Sequence, residues 1–83
     1  MALKENSLTI FNYVKEHDGE DFTASDIAEA TGIPVKSVNG CITAMDRHHS
    51  LMYREEHAIT GGKVKYIRLT DEGRVYDPAA AED

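Results

Sequence analysis

Two groups of residues in this 83-residue chain have the types and spacing to do chemistry. The first is a set of nitrogen and sulfur donors, Cys41, His48, His49 and His57, which are ligand types that bind zinc. Their spacing argues against a shared ion, because adjacent histidines on a helix point about 100° apart and the chain has a single cysteine. The second group is Lys36, Ser37, Asn39, Gly40, Thr43 and Arg47, in which short polar side chains and a glycine lie between two cations. Small residues let a helix backbone approach a grooved surface, amides and hydroxyls discriminate base edges, and cations reach phosphates. Further on, Lys63 and Lys65 follow a Gly61-Gly62 pair and would add cationic contacts beside such a helix. No catalytic constellation is visible. Thr23 and Thr70 lack a neighbouring base that would activate a hydroxyl, and they read as helix caps. Glu55-Glu56 and Asp71-Glu72 are ordinary solvated charges, since adjacent residues on a strand face opposite ways. The expectation is a protein that is not an enzyme and holds no metal or cofactor.

Periodicity gives the helices and strands that carry these residues. Leu8, Phe11 and Val14, with Ile10 beside them, make a helical stripe that starts near Leu3 or Ser7 and ends at His17-Asp18-Gly19. Phe22 reads as a brief extended link with its ring turned inward. Thr23 with Asp26 three places on is a variant capping box, predicting a second helix through Ile27, Ala28 and Ala30 that stops at Thr31-Gly32. Pro34 suits the first position of a third helix, whose buried stripe is Val38, Ile42, Met45 and His49, with Cys41 on the flank. The polar group named above occupies the opposite side. Leu51–Arg54 and Lys63–Leu69 are rich in strand formers, and Gly61-Gly62 signals a hairpin between them. The alternation breaks at Tyr66-Ile67, which means either a bulge or two partly covered faces. Thr70-Asp71-Glu72-Gly73 predicts no more than a capped turn. Tyr13, Tyr53, Tyr66 and Tyr76 suit the edges of a core, and Tyr53 or Tyr66 would also serve to anchor a protein partner. The expected organisation is one domain over residues 1–76 and a flexible acidic tail over 77–83.

Composition bounds the function. With 41% hydrophobic and 29% charged residues the chain has the balance of a folded domain, yet one this short buries only about 60% of its unfolded surface and has little room for a large catalytic cleft. The longest uncharged stretches span nine residues, against roughly 20 for a membrane span, so no membrane segment and no secretory signal are expected. The lone Cys41 suits a reducing, cytoplasmic setting. The net charge of −6 is unevenly spread. From Pro34 to Arg68 six cations (Lys36, Arg47, Arg54, Lys63, Lys65 and Arg68) face three acids, giving +3, which leaves −9 for the remainder. One locally basic face on an acidic body is the expectation.

Helix, extended link, helix, glycine turn, helix and hairpin is the order of a winged helix-turn-helix, an α+β fold of three helices and a two- or three-stranded antiparallel wing. The chain resembles winged-helix transcriptional regulators of the MarR and PadR kind. The likeness rests on Phe22-Thr23-Ala24-Ser25-Asp26-Ile27-Ala28 with Thr31-Gly32-Ile33, on the helix carrying Val38, Ile42 and Met45 ahead of Leu51, and on Tyr66-Ile67-Arg68-Leu69-Thr70-Asp71-Glu72-Gly73-Arg74. It implies that the third helix reads the major groove through Lys36, Ser37, Asn39, Gly40, Thr43 and Arg47, with Lys63 and Lys65 of the wing alongside. Gly62-Lys63-Val64-Lys65 departs from the Asp-x-Arg pair usual in MarR-like wings, and the long flanking helices of those families are missing, so a small-molecule effector site is not expected. Any homodimer would use helix one or the wing edge. The function expected is binding of double-stranded DNA in transcriptional regulation; the alternative is a protein–protein interaction module of a transcription or replication complex, or a phage-type inhibitor. Contact with six phosphates would give a salt slope near −5.

Overall fold

The computed structural model describes residues 5–77. The 77–83 tail and the Leu3 helix start therefore fall mostly outside the described residues. Helix α1 (Glu5–Glu16) buries Ile10, Phe11 and Val14, while Leu8 is only half-buried. Helix α2 (Ala24–Thr31) begins at the expected box: Thr23 Oγ1 accepts from the Asp26 amide at 3.3 Å and the Asp26 carboxylate accepts from the Thr23 amide at 2.9 Å. It ends at Gly32, whose φ of 77° is in the left-handed region that favours glycine. Helix α3 (Val35–His49) carries Val38, Ile42 and Met45 inward. Pro34 is its N-cap rather than its first turn, Ser50 closes it in a left-handed conformation (φ 53°), and His49, expected in the buried stripe, is only half-buried at the helix end.

Strands β1 (Met52–Ile59) and β2 (Gly62–Leu69) form a two-stranded antiparallel ribbon. Pairing is continuous from Met52 opposite Leu69 to Ile59 opposite Gly62, so the break in alternation at Tyr66-Ile67 is not a bulge. Both faces are partly covered instead. Ile67 and Leu69 enter the core, whereas Arg68 on the other face is pinned by the start of the chain's extended link. The turn is Thr60-Gly61, one residue earlier than the glycine pair suggested, and β1 runs through Glu55, Glu56 and His57 to Ile59. Phe22 buries its ring and accepts one backbone bond from Ile67 at 2.9 Å, without adding a third strand.

The capped turn after β2 is a short helix, α4 (Asp71–Val75), with Thr70 Oγ1 accepting from the Gly73 amide at 2.9 Å. Its Arg74 reaches Asp18 at the end of α1 at 2.8 Å, and Tyr76 meets Phe11 edge-on at 5.4 Å. One core joins all these elements, from Phe11 and Val14 through Ile27, Ile42 and Met45 to Leu51, Met52 and Ile67. The chain is thus a small α+β fold in which three longer helices and the single-turn α4 pack on one end of an antiparallel ribbon, and the ribbon's other end projects past them.

Candidate nucleic-acid interface

Burial of Val38, Ile42 and Met45 sets the orientation of α3. At about 100° per residue, Lys36, Gly40, Thr43 and Arg47 fall on the opposite side, Asn39 turns toward the ribbon and Ser37 lies on the far flank. Lys36, Ser37, Asn39, Gly40 and Arg47 are exposed and Thr43 is half-buried. A Cβ added to Gly40 would meet no atom within 4 Å, so none of the described residues covers the helix at Gly40. Among the described residues, Lys36 and Arg47 have no ion-pair partner, and Asp46 is the one carboxylate on the helix. The first turn of α3 has neither a side-chain cap nor an acid. Its free N–H groups therefore point outward beside Lys36 and Ser37, the arrangement that favours an anion.

Between α3, the start of α2 and the ribbon lies an open groove of about 530 Å³ lined by Thr23, Ala24, Ser25, Asn39, Arg54, Glu56, Lys63, Val64 and Lys65. Strand alternation places Arg54, Glu56, Lys63 and Lys65 on the ribbon face that Ile67 and Leu69 continue into the core. The core face thus turns cationic where it leaves the protein. Lys65 is without an ion-pair partner among the described residues, whereas Lys63 is held by Glu56 at 3.0 Å. Both members of that pair are well exposed, so it holds weakly and Lys63 can exchange partners. Arg54 Nη2 donates to Asn39 twice, to its carbonyl at 3.0 Å and to its side-chain oxygen at 3.2 Å.

The structure thus redistributes the eight residues chosen from sequence. Lys36, Gly40, Thr43 and Arg47 form the outer face of α3, Asn39, Lys63 and Lys65 line the groove, and Ser37 stands apart near the helix N-terminus. Sequence reasoning missed Arg54, Thr23 and Ser25 as groove residues. Arg54 was visible as a cation in the basic block, but its partnership with Asn39 links a strand to a helix and leaves no local signal. The basic block also shrinks. Arg68 is 19% exposed and committed to the Glu20 carbonyl at 3.0 Å and the Asp21 carboxylate at 2.8 Å, with Glu55 at 3.5 Å. It lies on the ribbon face away from the groove and faces the chain's own acids.

Other candidate chemistry is not assembled. No group of three His, Cys, Asp or Glu residues stands where it could hold a metal among the described residues. Cys41 is half-buried against the core. His57 turns to the outer ribbon face, against Glu55 and the Tyr66 ring. No helix among the described residues is long and apolar enough to cross a membrane.

No family model matches the chain and no solved structure matches it. Over 73 residues, 88% of the chain, it is 32% identical to part of the phenylalanine–tRNA ligase alpha subunit of Metallosphaera sedula. The chain spans 14% of that protein's length.

Proposed function

We propose that the chain is a minimal winged helix that binds double-stranded DNA and acts in transcriptional regulation, in the manner of the MarR-like and PadR-like regulators it resembles. α3 enters the major groove and the ribbon is the wing. The observation that carries this reading is the bare outer side of α3, cationic at Lys36 and Arg47 and glycine-thinned at Gly40, standing beside a groove edged by Arg54, Lys63 and Lys65. A B-form major groove about 12 Å wide accepts one helix. With α3 in it, Lys63 and Lys65 at the ribbon side of the groove face the sugar-phosphate backbone, and the free N–H groups and Lys36 at the start of α3 face a second phosphate.

Four groove and helix cations, Lys36, Arg47, Arg54 and Lys65, have no carboxylate partner among the described residues. The expected log–log salt slope on random duplex DNA is therefore about −4, shallower than the six-cation figure because Arg68 is consumed internally and Lys63 is shared with Glu56. Fluorescence anisotropy between low and physiological salt measures it. A flat salt dependence rejects the DNA reading in favour of the protein-interaction module.

The likeness to part of a protein named for a tRNA substrate favours nucleic acid as the ligand class and brings RNA into the test. The major groove of A-form RNA is too deep and narrow to admit a helix. Duplex DNA is expected to compete for the site better than duplex RNA of the same sequence, and the reverse order would transfer the reading to RNA.

A further inference from the structure

Asn39 is the residue of α3 that lines the ribbon groove, and it is not a free amide. One nitrogen of Arg54 donates both to its backbone carbonyl, at 3.0 Å, and to its side-chain Oδ1, at 3.2 Å. A guanidinium has donors and no acceptor, so the amide must present its oxygen to Arg54 and turn Nδ2 away. Arg54 has no ion-pair partner among the described residues, and its charge sits beside the amide inside the open groove.

An asparagine that reads adenine needs both atoms, with Oδ1 accepting from N6 and Nδ2 donating to N7. Here Oδ1 already accepts from a cation, and an adenine amino group brought to its remaining lone pair would meet the neighbouring guanidinium N–H groups donor against donor. Guanine offers N7 and O6, two acceptors, to the freed Nδ2 and to the remaining guanidinium N–H groups. We propose that Arg54 is a specificity-determining residue which, by clamping Asn39, converts it into a donor that selects guanine over adenine. This rests on α3 reading a major groove.

Selection from a randomised DNA duplex library, followed by affinity measurement on the selected site and its single-base variants, tests it. Wild type is expected to enrich guanine at one position, and Asn39→Ala to lose preference at that position alone. Arg54→Met frees the amide and is expected to shift the same position toward adenine, changing the guanine-to-adenine affinity ratio by about tenfold or more, with other positions unchanged. Arg54→Lys, which keeps a donor and the charge, is expected to retain part of the guanine preference. Melting curves accompany both, and should Arg54→Met fail to fold, Arg54→Gln takes its place.

Adenine at the Asn39-dependent position in the wild type overturns the proposal. So does a guanine preference that survives loss of Arg54, or salt-dependent binding with no preference that Asn39→Ala removes. In each of these the DNA reading stands. Absence of salt-dependent duplex binding by the wild type overturns both.

Discussion

Gly73 shows how one atom can decide local packing. Its backbone is not in the left-handed region, so its glycine is required for space and not for φ. A Cβ there would collide with the carbonyl oxygen of Leu51 and lie 2.8 Å from Leu69 Cδ1. Gly73→Ala is expected to lower stability by about 1–3 kcal/mol, read as a fall in the urea midpoint; an unchanged midpoint would mean α4 is not seated against Leu51. The run Leu69-Thr70-Asp71-Glu72-Gly73-Arg74 stood out in the sequence only by resemblance, and what it does in the fold was not visible there. Thr70 caps α4, Gly73 lets α4 approach Leu51, and Arg74 binds Asp18 across the molecule. Each role supports packing and none needs a ligand. Asn39 is the converse case. Its type and position marked it for the site, while the Arg54 contact that restricts its amide was invisible without the fold.

The first three helices were legible because their signals are local, whereas the single-turn α4 read only as a capped turn. Stripes at 3.6-residue spacing, the Thr23–Asp26 box and the Gly32 stop all lie within a few residues of what they specify. The second half of β1 was not legible, since Glu55, Glu56 and His57 have no alternation of apolar residues. They are strand because β2 pairs with them, Glu55 opposite Tyr66 and Glu56 opposite Lys65. Within α3, Gly40 separates folding from binding. Nothing occupies the space beside it, and glycine within a helix destabilises it by about 1 kcal/mol relative to alanine. Gly40→Leu is therefore expected to leave the melting temperature unchanged or raise it. It should nevertheless weaken duplex DNA binding by about tenfold or more, because the added side chain holds the helix off the base edges. Unchanged affinity in a folded variant would show that α3 is not the reading element.

Among the described residues, acids and cations pair within the helical body, within the ribbon and, at Arg68–Asp21, between the ribbon and the link before α2. The Arg74 guanidinium, chiefly through its hydrogen bond, holds Asp18 below the usual carboxylate range, and His57 first, then Arg68, does the same for Glu55. A carboxylate whose folded pKa is lowered contributes stability that is present above its unfolded pKa and lost as pH falls through the folded value. The melting temperature is accordingly expected to hold near neutrality and decline below about pH 4. Asp18→Asn should make that decline shallower, as a melting series from pH 7 to pH 3 would show; an unaltered acid slope would mean the Asp18–Arg74 bond does not contribute in solution. The order of elements, the helical faces and the uneven charge along the chain are properties of neighbouring residues and can be read before any folding is considered. Which cations stay free depends on how the chain folds. Arg74 meets Asp18 across 56 positions, Arg68 meets Asp21 across 47, and Arg54 meets Asn39 across 15. Electrostatic partnership depends on distance through space, and folding alone sets that distance for residues so far apart in the chain.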